Sequence, residues 1–209
     1  IANPNNPTGT FLPAQEIEAF LKAVPPHVVV VLDEAYNEYL PAELQYDSIA
    51  WVRQYPNLLV SRTLSKAYGL AGLRIGLGIA QPGLTDLLNR IRQPFNVNSL
   101  AQAAAIAALN DREFLQKSAK VNADGYRQLT QAFDAMDLEY VPSYGNFVLF
   151  RVGNDDGAGA RVNLALLRQG VIVRPVGNYG LPKWLRVSIG LPEENAAFIE
   201  ALKKALAQA

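Results

Sequence analysis

An α/β chain with a mostly parallel sheet, continuing into a smaller α+β portion, is what three features of the sequence predict. Val28-Val29-Val30-Val31-Leu32 is an unbroken, β-branched apolar run, the pattern of a strand buried on both faces of a parallel sheet. Segments of helical period separate such runs: Ile17, Phe20, Leu21 and Val24 fall at i, i+3, i+4 and i+7 before the first, which is the alternation of α/β folds. From Leu138 onward the texture changes to short apolar runs interleaved with helical segments. The expected organisation is a main α/β part over 1–110, a connecting helix over 111–137 and a small α+β domain over 138–209.

Half of the 209 residues are apolar, and 19 basic residues balance 19 acidic ones. That composition is globular, and its balance argues against a nucleic-acid surface or a basic membrane face. With no cysteine, disulfides, thiolate nucleophiles and Cys-ligated zinc are excluded. The single histidine, His27, follows Pro25-Pro26 on a loop, which disfavours a Ser-His-Asp triad or a His-rich metal site. No signal peptide is visible, and no apolar stretch reaches bilayer length; a cytoplasmic location is expected. The chain opens inside a turn motif without Met and reads as a fragment.

Taken in order, Asn3 to Thr10 is a turn cluster with two Asn-Pro pairs and a Thr-Gly. Leu12 to Val24 is expected to be helical, with Pro13 in its first turn and Pro25-Pro26 ending it. Val28 to Leu32 is a strand, Ser48 to Gln54 a short helix, Leu58 to Ser61 the next strand. Tyr39 and Tyr46 fall on a loop, assignable to core or interface. Ile75 to Ala80 reads as a strand whose glycines imply close backbone approach. Pro82 to Arg92 is helical through Leu84, Leu87, Leu88 and Ile91. An alanine-rich core helix follows, capped by Ser99, and a longer helix runs from Asn110 to about Met136. Its apolar ends and polar middle suit a bridge between domains. Beyond it, Asn146–Phe150, Val171–Arg174 and Trp184–Ile189 are strands. Gly153–Gly159 is a loop, Val162–Gln169 a helix stopped by Gly170, and Pro192 opens a final amphipathic helix.

The chemistry concentrates in Ser61-Arg62-Thr63-Leu64-Ser65-Lys66-Ala67-Tyr68-Gly69-Leu70-Ala71-Gly72-Leu73-Arg74-Ile75-Gly76. A lysine just past a buried strand is expected to be poorly hydrated, which frees its amine as a nucleophile able to form a Schiff base with a carbonyl cofactor. Ser65 and Arg74 bracket it with phosphate-holding groups. Asp33 follows its strand directly, at the carboxyl end where α/β sheets bind ligands. A carboxylate there can keep a pyridine nitrogen protonated, and Tyr36 can donate to a ring oxygen. Asp33 is equally suited to cap a helix, and Glu34 beside it is a second available carboxylate. Asn6 has an amide able to bond a phenolic oxygen or its own turn.

Together, Asn3-Pro4-Asn5-Asn6-Pro7-Thr8-Gly9-Thr10, the Val28–Tyr36 stretch and the lysine stretch resemble the fold-type I pyridoxal-phosphate-dependent aminotransferases. Their details are most similar to the histidinol-phosphate branch of that class. The resemblance covers the whole chain but only the later part of the family's length. It implies a large-domain sheet carrying pyridoxal 5′-phosphate, with Lys66 catalytic. Asn6, Asp33, Tyr36, Thr63, Ser65, Lys66 and Arg74 would bind the cofactor, and Asn146, Arg174 and Arg186 the substrate. The two arginines would meet a carboxylate or phosphate if their strands pair. The implied reaction converts L-histidinol phosphate and 2-oxoglutarate to imidazole-acetol phosphate and glutamate, in histidine biosynthesis, by a homodimer. Other readings on this scaffold are an aromatic aminotransferase, an amino-acid-phosphate decarboxylase and a non-catalytic regulatory domain. The resemblance also implies that a phosphate-cradling loop and a ring-stacking aromatic lie outside these residues, so the chain alone is expected to be inactive.

Overall fold

The computed structural model describes residues 1–208. It divides into two compact units, one of Ile1–Asn5 with Phe11–Ser118 and the other of Asn6–Thr10 with Ala119–Ala209. The division falls inside one long helix.

In the first unit, helix α1 (Ala14–Ala23) leads to strand β1 (Val30–Asp33), helix α2 (Ser48–Gln54) and strand β2 (Leu58–Thr63). β1 and β2 run parallel, with Asp33 opposite Ser61. Strand β3 (Gly76–Ala80) pairs with β2 in the antiparallel sense. The expectation of a mostly parallel sheet thus holds for β1–β2, and the three-stranded sheet is mixed. Gly76 is the close approach foreseen in β3: a Cβ there would stand 2.8 Å from the Arg62 carbonyl oxygen.

One face of this sheet is buried. Val30, Leu32, Leu58 and Val60 pack with Ile17 and Leu21 of α1 and Trp51 and Val52 of α2. The other face differs from expectation, because Val31 is 45% exposed and Val29 54%. The apolar run is therefore covered on one side only among the described residues. Tyr46 belongs to this core; it stacks on Trp51 with ring centroids 5.0 Å apart.

Helix α3 (Pro82–Ile91) and helix α4 (Ser99–Asn110) follow. The cap of α4 is Asn98, not Ser99: its side chain accepts from Ala101 N at 2.8 Å. Helix α5 (Arg112–Ala135) is the long helix.

The second unit holds strands β4 (Tyr140–Val141) and β5 (Phe147–Arg151), helix α6 (Ala158–Leu167), strands β6 (Arg174–Pro175) and β7 (Trp184–Ser188), and helix α7 (Pro192–Leu206). The sheet order is β4-β5-β7-β6, antiparallel throughout. Its core joins Leu129 and Phe133 of α5, Val148 and Phe150 of β5, Val162 and Leu166 of α6, and Phe198 and Leu202 of α7. β6 is shorter than the strand expected over Val171–Arg174, and α6 begins inside the expected Gly153–Gly159 loop.

Candidate functional site

Within the first unit, the ends of β1 and β2 gather six of the expected residues. Asp33 closes β1 on the exposed face, and its Oδ1 accepts a hydrogen bond from Ser61 Oγ at 3.1 Å. Strand alternation puts Ser61 beside it, since residues opposite each other in register share a face. Tyr36, three residues on, is buried to 5% exposure.

After β2 the chain turns sharply. Leu64 N donates to Ile75 O and Leu70 N to Leu64 O, and the turn closes through Gly69 N to Lys66 O. Leu64 and Ile75 anchor it in a small core with Ala101 and Ala105 of α4. Gly69 has φ +71°, a conformation that glycine adopts without the Cβ penalty. The anchored turn carries Lys66 outward, and its Nζ stands 5.7 Å from the centre of the Tyr36 ring, within cation–π range. The expected burial of Lys66 is not found: the residue is exposed, because only its neighbours Leu64 and Ala67 face the core.

Thr63 Oγ1 accepts from Ser65 N at 3.1 Å, which fixes the chain just before the lysine. Arg74 is exposed and left-handed at φ 55°, and its Nη1 donates to Ala71 O at 2.8 Å.

Glu34 lies on the opposite face from Asp33 and is fully buried. Its Oε2 accepts from Arg62 Nε and Ser48 Oγ, each at 2.9 Å. The second carboxylate is thus sequestered, leaving Asp33 the one facing the lysine side of the sheet. Neither Arg62 nor Ser48 is singled out by the sequence; the signal was the period-two alternation, which sends Glu34 and Arg62 inward together. Tyr46, accepting from Asn3 Nδ2 at 3.1 Å, has its phenol pushed up to about 12, first by burial and then by the charge of Glu34.

Burial, followed by the Glu34 charge, raises the Glu38 carboxyl above its ordinary range, against the lowering pull of its own backbone and Arg62. A carboxyl raised on folding favours the folded state fully below its unfolded value near 4.5 and loses that contribution as pH climbs through the folded value. Glu38→Gln is therefore expected to match the wild type near pH 4 and to exceed its stability at pH 7. Urea midpoints at the two pH values check this; an equal offset at both would contradict it.

Within the second unit, Arg186 of β7 stands opposite Arg174 of β6, so both project from the same face of the sheet. The Arg186 guanidinium lies 4.8 Å from the centre of the Phe147 ring, and its Nη1 donates to Asn6 Oδ1. Its Nε is buried without a hydrogen-bond partner among the described residues. Arg174 is exposed. Asn146 is half-buried, with its carbonyl accepting from Ile189 N. The segment bearing Asn6 is held by Tyr144 N donating to Gly9 O at 2.8 Å. Gly9 is irreplaceable there, since a Cβ would fall 2.1 Å from Ser143 Oγ. Phe147 is the site residue that sequence reasoning missed; its place next to Arg186 follows from β5–β7 register.

Among the described residues no group of His, Cys, Asp or Glu could hold a metal ion, and no helix is long and apolar enough to cross a membrane.

The profile of the family described as "Aminotransferase class I and II" matches residues 1–202. Histidinol-phosphate aminotransferase 2 of Ralstonia nicotianae is 80% identical over 209 residues, covering 100% of this chain and 56% of the relative. Histidinol-phosphate aminotransferase 1 of Cupriavidus pinatubonensis is 75% identical over 206 residues, covering 99% and 55%. The chain thus spans about half the length of the curated relatives it matches. Among solved structures, histidinol-phosphate aminotransferase from Sinorhizobium meliloti, in complex with pyridoxal-5′-phosphate, superposes with a TM-score of 0.94 at 33% identity, covering 100% of this chain and 56% of the other.

Proposed function

The chain belongs to the class I and II aminotransferase family, and on that premise we propose that it carries the working lysine, the ring-binding carboxylate and the substrate arginines of a pyridoxal-phosphate-dependent transaminase. Its amino donor is L-histidinol phosphate and its acceptor 2-oxoglutarate, a reaction of histidine biosynthesis carried out by a homodimer in the cytoplasm. The observation that carries the reading is the arrangement at the ends of β1 and β2, with Asp33 held by Ser61 and the Lys66 amine over the Tyr36 ring.

The donor set suits a phosphorylated pyridine aldehyde. It offers an amine, a carboxylate and a phenol, together with the hydroxyls and guanidinium of Thr63, Ser65 and Arg74. When bound, that group supplies a carbonyl for the amine and a ring that withdraws electrons from a substrate carbon losing its proton.

Lys66 has two tasks. Its amine would hold the cofactor's carbonyl carbon, with loss of the carbonyl oxygen as water, and the same amine, when free, would serve as the general base and acid that takes and returns the proton of the substrate carbon. An exposed amine near a phenol ring is free to do both. Asp33, kept in place by the Ser61 hydroxyl, would hold a proton on the ring nitrogen. Tyr36 would donate to the ring oxygen. Thr63, Ser65 and Arg74 take the cofactor phosphate, Arg74 as the charged partner.

Arg174 and Arg186 bind the acidic end of each substrate, a phosphate in one and a carboxylate in the other. A planar guanidinium fork matches both, and the unpartnered Nε of Arg186 is a donor still to be used. Asn6 would bond the cofactor's ring oxygen and, through its contact with Arg186, orient that arginine, and Asn146 would lie beside the substrate.

The test is a visible absorbance titration of the 209-residue chain with pyridoxal 5′-phosphate, followed by borohydride trapping and peptide mapping. The expected result is one adduct at Lys66 that Lys66→Ala abolishes. Adducts scattered over the lysines and unchanged by Lys66→Ala would overturn the reading.

A further inference from the structure

We propose that Glu34, Arg62 and Ser48 form a positioning latch that sets the separation of Asp33 and Lys66; this rests on the roles just proposed for those two residues. The β1–β2 ladder ends at the Asp33–Ser61 pair, with one further backbone bond, Glu34 N to Ser61 O at 2.9 Å. Asp33 and Lys66 lie at and beyond that end, where sheet pairing no longer dictates spacing. The next residues of the two strands, Glu34 and Arg62, close the gap with side chains on the buried face.

The closure is tight. Oε2 of Glu34 takes Arg62 Nε and Nη2, both at 2.9 Å, and Ser48 Oγ at 2.9 Å. Arg62 Nη2 also reaches Ser48 Oγ at 3.3 Å, so the three side chains form a closed triangle. Ser48 is the first residue of α2 and is fully buried, which ties the strand ends to the helix covering them.

Stability alone does not call for ions at this place. The rest of the buried face is Val30, Leu32, Leu58 and Val60, and an apolar pair continuing that row would cost less than a fully buried carboxylate with a partly buried guanidinium. What a buried, oriented ion pair adds is register: a guanidinium and a carboxylate meet well in only one alignment, and a one-residue slip of either strand would turn its charged group to the other face, away from its partner. The latch therefore holds Tyr36, two residues past Glu34, against Lys66, four residues past Arg62, at the 5.7 Å seen.

The test uses the cofactor-free 209-residue chain, labelled briefly with acetic anhydride and read lysine by lysine in peptide maps. Glu34→Asp keeps the charge and shortens the arm by one methylene; Ser48→Ala removes one corner without stranding a charge. Val52→Ala loosens the same core without touching the latch. Both latch variants are expected to change the Lys66 labelling rate by about twofold or more, the low end of coupling between contacting groups. Lys22 and Lys203 should label as in the wild type, and Val52→Ala should leave Lys66 unchanged. An unchanged Lys66 rate in Ser48→Ala overturns the latch even if Glu34→Asp does not fold. So does an equal change in Val52→Ala, or a rise at all lysines together. Failure of Lys66 to capture pyridoxal phosphate would strike the functional reading instead, and the labelling result would still decide the latch.

Discussion

Arg62→Met is expected to destabilise the first unit by about 3–5 kcal/mol, the usual penalty for stripping one partner from a buried ion pair. Glu34 is fully buried, and among the described residues its Oε1 has no hydrogen-bond partner. Removing Arg62 takes away the one cation paired with it among the described residues and two of the donors on Oε2. The methionine fills much of the guanidinium stem's volume, so the loss is electrostatic rather than a cavity. Glu34→Met/Arg62→Met should recover most of the stability, because an apolar pair of similar volume removes both desolvation costs. Urea unfolding of the two variants checks this. A single-variant loss below about 1 kcal/mol would show the pair to be screened like a surface one. The double variant also separates two properties: with stability restored, Lys66 labelling should remain altered, since no oriented pair is left to hold the strand ends.

The strands and turn that carry the candidate residues were legible from local sequence, and contacts set by pairing between distant residues were not. Lys66 with its glycine-rich turn, Asp33 at a strand end and the arginines of two neighbouring strands lie in short motifs, and their resemblance to the aminotransferases, not their chemistry alone, singled them out. The Glu34–Arg62 pair depends on a register joining residues 28 apart, which no short window contains. The Val28–Leu32 run misled for a related reason. A continuous apolar stretch states that a strand can be buried on both faces, and what covers each face is a property of the packing; here α1 and α2 cover one. The burial expected of Lys66 failed likewise, as the turn past β2 points the amine away from its anchoring core. β3 was recognisable as a strand, yet its antiparallel direction was not, because side-chain alternation is the same in both senses. At α4, Asn98 and Ser99 are both sound caps by residue type, and only backbone geometry chooses Asn98.

Phe133→Ala should be as damaging to the second unit, by about 3–5 kcal/mol. Phe133 is fully buried. Its ring stacks on Phe150 at 4.8 Å and meets the edge of Phe198 at 6.3 Å, with Tyr140 tilted against it at 5.9 Å. Alanine loses the transfer energy of the ring, leaves a cavity between α5, β5 and α7, and forfeits aromatic pairings worth about 0.5–1.5 kcal/mol each. Phe133→Leu keeps much of the volume and should cost markedly less. Phe150 sits opposite Leu185 in the β5–β7 register, next to Arg186, so the cavity opens beneath the strand that carries Arg186. Hydrogen exchange should therefore quicken in peptides covering 147–151 and 184–188, while the peptide over 30–33 keeps its protection, since its core shares no residue with this one. Equal loss of protection in both would mean that the two cores unfold as one cooperative unit, and the expected independence of the strands of the first unit from those of the second would be wrong.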